Sequence, residues 1–334
     1  MTIKDLAAKT GYAVGTVSRA LNDHPNVSEK ARAAILQAAE ESGFQLNVNA
    51  KQLKQQHSNM ILVIVKGIQN ELFGKMVETI QRSVAATRYQ LVVDYMDEDL
   101  NEVRRAIQLC LEKKPLGILF LGGNNQNFLQ DFHRIDVPCV LVTGDASDLH
   151  FDNLSSVSTD DRAAARCAVE RLITLGHSRI AVIGGNRETS DPSRLRFAGC
   201  MEAMEAHGLD FDPERDYQSV RFSCQDGYNA TKTLLEKGCK FTALFAVADV
   251  MAIGAIRALW EAGLRVPEDV SVIGVDGLPM GEYLVPQLST VRQSAERIAS
   301  CSVELLLSVI EEGAGPVHEK IPFTLQQRES VRRV

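Results

Sequence analysis

From residue 60 onward the chain repeats one unit, a short apolar run followed by an amphipathic stretch of about a dozen residues or more. The apolar runs are MILVIV (60–65), QLVVDY (90–95), GILFLG (117–122), PCVLVT (138–143), RIAVIGG (179–185), FTALFAV (241–247) and VSVIGVD (270–276). Helical patterns cover 72–87, 99–113, 161–175, 194–207, 225–237, 249–263 and 294–312. A strand that is apolar throughout has both faces buried, so these runs are read as parallel sheets with helices on either side. Seven or more such units in about 270 residues predict two doubly wound subdomains rather than one sheet.

The remaining constraints are mostly exclusions. A chain of 334 residues has room for two or three domains, and 45% apolar with 24% charged residues is an ordinary globular composition. The longest apolar run, Met60 to Val65, cannot span a bilayer, and no basic-then-apolar leader opens the chain. A cytoplasmic protein with no membrane partner is expected. The seven cysteines are scattered, odd in number and never spaced CxxC, which predicts buried thiols rather than a disulfide frame or a zinc site. There is no GxxxxGK[ST], no GxGxxG after a strand, no GxSxG and no HExxH. The seven histidines are dispersed, and His177 falls at a helix end, where it is expected to meet the last carbonyls. No catalytic residue, metal or cofactor is expected.

The first sixty residues have a different texture. Thr2 can cap a helix with Asp5 three residues on, Ile3, Leu6 and Ala7 follow at helical spacing, and Gly11 supplies a tight turn. A second short helix runs through Ala13 to Leu21, so the pair has the form of a helix-turn-helix. Ser28 caps a third helix near 29–41, closed by Gly43, whose stripe Ala31, Ala34, Ile35, Ala38 and Ala39 is expected to seal a small core. Residues 45–58, QLNVNAKQLKQQHS, have the composition of a linker. Residues 1–58 carry seven Lys/Arg against five Asp/Glu, a net +2, which leaves −9 on the rest of a chain whose total is −7. A mildly basic head on an acidic body fits a DNA-binding module joined to a core that does not touch DNA.

The strings TIKDLAAKTG and TVSRALN, then Val27-Ser28-Glu29, then Asn47-x-x-Ala50-x-x-Leu53, resemble the headpiece and hinge of the lac/galactose repressor family. So do Gly176-His177-Ser178-Arg179-Ile180, LRVPEDVSVIGVDG and Pro286-x-Leu288-Ser289-Thr290-Val291 farther on. The resemblance implies an N-terminal all-α helix-turn-helix headpiece (1–44), a hinge (45–58) and an α/β bilobed periplasmic-binding-protein-like core (59–334). It places lobe one at about 59–157 and 291–318, and lobe two at about 158–288 and 319–334. The chain would cross between them near 156–160, 285–291 and 317–323.

By the same resemblance, base reading falls to Val14, Gly15 and Arg19. The Arg19 guanidinium matches guanine O6 and N7, a contact worth about 1–3 kcal/mol of discrimination. Thr2, Ala13 through its backbone, Thr16, Ser18, Asn22 and Asn26 sit where the family contacts phosphate. In the hinge, beside Ala50, Leu53 is an apolar residue in a polar linker and would wedge into the minor groove, with Lys54 against phosphate or the groove floor. Leu46 stands where the family usually has proline, and Asn49 where it has an apolar residue.

Ligand contacts are implied at Asn70, Phe73 and Thr143 in lobe one, and at Arg196, Phe222, Asp249 and Asp276 in lobe two. Aromatic rings that stack on sugar faces, with Arg and Asp that hold hydroxyl pairs, suit a polyol. Ala248 replaces the usual Asn or Ser, and Thr143 an acidic residue.

The expected protein is a repressor controlled by a small molecule, a sugar or sugar derivative, acting as a homodimer on two-fold double-stranded operator DNA. The tail, Gln326 to Val334, has no leucine heptads to join dimers into tetramers. Two other readings stay open. One is a regulator with a purine or phosphoprotein corepressor; the other is a solute-binding module without DNA activity.

Overall fold

The computed structural model describes residues 3–21, 26–42, 58–68 and 70–334, and divides the chain into two units, Met1–Ser58 and Asn59–Val334. In the first unit three helices, α1 (Ile3–Thr10), α2 (Val14–Leu21) and α3 (Glu29–Glu41), close on Leu6, Val17, Ala20 and Ile35, all essentially inaccessible. Gly11 makes the α1–α2 turn at φ +73°, where a side chain would be strained. Ser28 caps α3 through its hydroxyl on the Ala31 amide, 3.4 Å. Ala31, Ile35 and Ala39 are buried and Ala38 half-buried, whereas Ala34 is exposed: it lies on the outer side of the helix. The cap expected of Thr2 and the stop at Gly43 lie outside the described residues.

The second unit holds two six-stranded sheets. In chain order its elements are β1 (Met60–Lys66), α4 (Glu71–Ala85), β2 (Gln90–Met96), α5 (Glu102–Lys113), β3 (Gly117–Leu121), α6 (Asn125–Asp131), β4 (Cys139–Val142) and β5 (Leu154–Ser158). There follow α7 (Asp161–Thr174), β6 (Ile180–Gly184), α8 (Asp191–Ala206), α9 (Pro213–Asp216), β7 (Tyr217–Ser219), α10 (Cys224–Glu236), β8 (Ala243–Ala246) and α11 (Asp249–Glu261). The chain ends with β9 (Ser271–Asp276), β10 (Ser289–Arg292), α12 (Ala295–Glu312), β11 (His318–Lys320) and β12 (Thr324–Gln326).

The first sheet runs β11-β5-β4-β3-β1-β2, parallel throughout; the second runs β12-β10-β9-β8-β6-β7, parallel except for β12. Successive residues of a strand face opposite sides. Ile61, Val63 and Val65 of β1 therefore pack into one apolar layer, and Leu62 and Ile64 into the layer behind the sheet. Each such buried side chain contributes about 1.5–3 kcal/mol, which is why a wholly apolar run reads as a doubly covered strand.

Four differences from the sequence reading concern where the lobes meet and what closes them. LSSVS (154–158) forms a fully buried strand although three of its five residues are serine. Two of its hydroxyls are held by hydrogen bonds: Ser155 accepts from the Val317 amide and Ser156 from the Ala146 amide, both at 3.1 Å, while the buried Ser158 hydroxyl has no partner among the described residues. Ser289–Arg292 stays paired with β9 (Thr290 to Gly274, Arg292 to Asp276). The second crossing therefore follows Arg292 instead of falling at 285–291, and lobe one resumes with α12, which packs on α4 and on β3, β4 and β5. β11 pairs with β5, so lobe one runs on to Lys320 before β12 joins the second sheet. Finally, His177 does not cap its helix. It is buried, with Nδ1 2.9 Å from Thr242 Oγ1 and Nε2 3.0 Å from Ser271 Oγ and 3.2 Å from the Arg332 carbonyl, so it ties two strand starts to the C-terminal tail. Of the seven thiols, Cys139, Cys200 and Cys301 are buried, while Cys224 is exposed at the start of α10.

Candidate functional site

Two faces were singled out by the sequence. On α2 the helical period turns Val17 and Ala20 inward and leaves Val14, Gly15 and Arg19 exposed on the opposite side. Thr16 and Ser18 are half-buried at the edges, and Asn26 is exposed at the start of the turn before α3. The Arg19 Nε donates to the Gly15 carbonyl at 3.2 Å, which lays the side chain along its own helix. Ala13 ends the turn, its carbonyl accepting from the Thr16 and Val17 amides at 2.8 and 3.0 Å. Thr2, Asn22, Ala50, Leu53 and Lys54, together with Leu46 and Asn49, lie outside the described residues.

The second face is a cavity of about 310 Å³ between the lobes of the core. In both sheets the chain order reverses at the first strand, between β1 and β3 and between β6 and β8, and doubly wound sheets bind ligands at the carboxyl ends beside such a switch point. The cavity sits there. Lys66 ends β1, and Glu98, Gly122 and Thr143 follow β2, β3 and β4; Gly185, Arg221, Asp276 and Gln293 follow or end β6, β7, β9 and β10. Asn70 caps α4, its Oδ1 accepting from the Leu72 amide at 3.1 Å, and this brings Phe73 to the wall in the helix's first turn. Phe222 reaches the wall from the opposite lobe.

Two wall residues are strained. Thr143 has φ +74° and Asp276 φ +123°, conformations that side chains rarely adopt. Strain of this kind costs about 1–3 kcal/mol a residue and gathers where function requires a fixed geometry. One strained residue stands on each lobe, facing the same space.

Arg196 is the electrostatic centre. It is 5% exposed; its Nε donates to Asp161 Oδ1 at 2.7 Å and its Nη1 to the Val247 carbonyl, with Asp276 Oδ1 at 3.4 Å. Gln293 Nε2 donates to the same Asp276 oxygen at 2.7 Å. These bonds use Arg196 Nε and Nη1 and Asp276 Oδ1, and both residues line the cavity, a cationic donor beside a carboxylate acceptor. Burial pushes the Asp276 carboxyl up to about 6, against the pull of Arg196. Burial raises Asp161 as well, again opposed by Arg196.

Asp249 departs from the expectation. It is wholly buried behind the wall: Oδ1 accepts from Thr290 Oγ1 at 2.7 Å and Oδ2 from the Leu278 amide at 2.8 Å. It holds the loop that follows Asp276, and its carboxyl is pushed up to about 8 by burial and then by the Asp276 charge. As the first residue of α11 its side chain turns under the sheet end, out of reach of the cavity. The other six expected ligand contacts all line the cavity: Asn70, Phe73, Thr143, Arg196, Phe222 and Asp276.

Several wall groups escaped the sequence reading. Lys66 Nζ lies 2.6 Å from Oε2 of Glu102, a residue with no exposure, which also accepts from the Asn124 amide and Asn127 Nδ2. Across the mouth, Arg221 of lobe two pairs with Asp97, with Glu98 at 3.1 Å and with Asp99 at 3.2 Å, all of lobe one. Asn124 Nδ2 donates to the Thr189 carbonyl at 3.0 Å and the Asn125 amide to Asp191 Oδ2 at 2.7 Å, a second tie between the lobes. The acid triplet after β2 was a readable signal. Arg221 follows a strand that is only three residues long, and the Lys66–Glu102 pair spans 36 residues.

Two family models match the chain: bacterial regulatory proteins of the lacI family over residues 2–47, and a periplasmic binding protein-like domain over 143–331. The transcriptional regulator MalR of Clostridium butyricum is 34% identical over 99% of both chains. The probable transcriptional repressor ExuR of Bacillus subtilis is 32% identical over 100% of this chain and 99% of its own. Among solved structures, the lac repressor dimer bound to operator and an anti-inducer superposes with a TM-score of 0.80 at 27% identity, over 99% of each chain. The transcriptional regulator CelR in complex with cellobiose gives 0.70, also at 27% identity and over 99% of each chain.

Proposed function

The chain belongs to the lacI family of bacterial regulatory proteins, and from that premise we propose that it is a transcriptional repressor whose hold on operator DNA is set by a small polyhydroxylated molecule between its lobes. The observation that carries the second half is the cavity itself. It lies at the switch points of two sheets and is lined by Arg196 and Asp276, a charged donor and a charged acceptor 3.4 Å apart, the kind of pair that vicinal hydroxyls engage. Phe73 and Phe222 add an aromatic ring from each lobe.

In this reading residues 1–44 form the DNA-reading head, with Arg19 the principal base contact and Val14 and Gly15 the close approach; Thr2, Ala13, Thr16, Ser18, Asn22 and Asn26 contact phosphate. Residues 45–58 are the hinge, in which Leu53 opens the minor groove beside Ala50 and Lys54. Two copies act together, since one short helix buries too little on DNA and tethered heads gain avidity on a two-fold site. That the lac repressor is bound to its operator as a dimer, and that CelR holds cellobiose, supports this arrangement. The protein works in the cytoplasm beside the DNA, and no catalytic step is part of its role. Among the described residues no helix is long and apolar enough to cross a membrane.

The lobes join through three crossings, after Ser158, Arg292 and Lys320, and closure about these segments is the motion an effector would bias. An effector changes operator affinity only if it binds the DNA-competent and incompetent states differently; couplings of about 1–3 kcal/mol, or about 5–150-fold, are usual. The test is operator binding by the full-length protein, first on fragments of its own genome and then with each candidate sugar. Release from a defined operator on adding one sugar is the expected result, and tighter binding would make that ligand a corepressor. Failure to select any fragment would remove the repressor reading.

A further inference from the structure

On the reading of this cavity as the effector site, its charges narrow the chemistry of the effector. Three cations stand on the wall, and each is already paired with carboxylate. Lys66 is engaged by the fully buried Glu102 at 2.6 Å. Arg196 lies between Asp161 at 2.7 Å and Asp276 at 3.4 Å. Arg221 meets Asp97, Glu98 at 3.1 Å and Asp99 at 3.2 Å. Six carboxylates pair with these three cations, and Glu98, Asp99 and Asp276 themselves line the cavity.

A phosphate brings about −1.5 to −2 charges and three acceptor oxygens, and a carboxylate brings one full charge. At Lys66 or Arg196 either would have to take the cation from its partner and leave a carboxylate buried and unpaired, and elsewhere it would sit beside carboxylates of its own sign. Like charges brought together in this way cost several kcal/mol. Hydroxyls face no such penalty, because a neutral group can donate to Asp276 or accept from Arg196 with every ion pair left in place. The mouth adds a second barrier. Glu98 and Asp99 line the cavity from one lobe while Arg221 lines it from the other, so an anion entering there competes with three carboxylates for the cation that ties the lobes.

We infer that the cavity selects by charge: it takes an uncharged polyol and turns away that polyol's phosphorylated and carboxylated forms, with Asp97, Glu98 and Asp99 on Arg221 as the rejecting cluster. The experiment is thermal shift followed by titration calorimetry on the full-length protein. The panel holds pentoses, hexoses, hexitols and disaccharides (ribose, glucose, galactose, mannitol, maltose, cellobiose) beside ribose 5-phosphate, glucose 6-phosphate, glucuronate and galacturonate. The expected result is binding of at least one uncharged member, with its charged counterpart weaker by about 100-fold or more. In the double variant Glu98→Gln, Asp99→Asn that gap narrows by about tenfold or more, because the field at the mouth falls while the deep contacts stay. A charged member that binds as tightly as its uncharged parent would overturn charge selection and leave the effector reading intact. No binding by any member would remove the effector reading, and this inference with it.

Discussion

Arg196 and the carboxyls around it hold the core and its cavity in one electrostatic unit. Removing the cation leaves Asp161 and Asp276, which are 5% and 3% exposed, without their main partner. Breaking a buried pair from one side costs about 3–5 kcal/mol. Arg196→Met is therefore expected to lower stability in urea by that amount and to abolish effector binding. Asp249 makes a separate, pH-dependent contribution. Its carboxyl and that of Asp276 are raised from 3.8 to about 8 and about 6, so the folded chain holds protons that the unfolded chain releases. Stability from these groups is complete below about pH 4 and is lost as pH rises through about 6 and then about 8. Asp249→Asn carries the neutral form's hydrogen-bonding groups at every pH. Melting curves of the variant are expected to lose most of the decline between pH 5 and pH 8.5 that the parent shows, and an unchanged decline would assign the effect elsewhere.

Among the elements, α11 shows how local chemistry is overridden by packing. Its N-cap position is Ala248, extended at φ −146° and ψ 148°, with no side-chain bond to the first turn. A serine there has the geometry to accept from that turn, and such caps are worth about 0.5–2 kcal/mol. Ala248→Ser is expected to raise the denaturation midpoint without changing its slope. At mid-helix, α11 and α10 approach so closely that a Cβ on Gly254 would meet the Cys224 carbonyl and the Tyr228 amide, both backbone. A glycine in a helix interior is unfavourable by about 1 kcal/mol against alanine, yet Gly254→Ala is expected to destabilise, by about 1–3 kcal/mol, as overpacking does. The helix must shift to admit the methyl. Far-ultraviolet dichroism at rising urea measures both variants.

Over the whole molecule, the division at Ser58 gives the core its own apolar layers, separate from the small core of the head. A fragment spanning residues 59–334 is expected to fold cooperatively and to bind the same effector with affinity within about threefold of the full chain, because no cavity group lies before Lys66. It is expected to show no operator binding. Calorimetry and a gel shift check the two halves independently, and loss of effector binding in the fragment would show that the head contributes to the cavity. For the full chain, operator affinity should fall steeply with salt, since phosphate contacts release counterions.

Predominantly apolar runs such as Met60–Val65 and Val270–Asp276 were legible as strands because burying both faces of a strand favours apolar residues at successive positions. The helix-turn-helix was legible for a similar reason: a glycine turn and a two-sided helix are local requirements, set by neighbours a few residues away. LSSVS was not legible as a buried strand, because two of its serines are satisfied from outside it, Ser156 by the Ala146 amide and Ser155 by the Val317 amide 162 residues on. Nor was the placing of Asp249 behind the wall and Lys66 upon it, or the reach of Arg221 across the mouth to Asp97, Glu98 and Asp99. Periodicity and turn chemistry act over a few residues and are written into the sequence directly. Which charges meet, and which are left facing the cavity, depends on where two sheets bring strand ends together, and only the tertiary structure decides that.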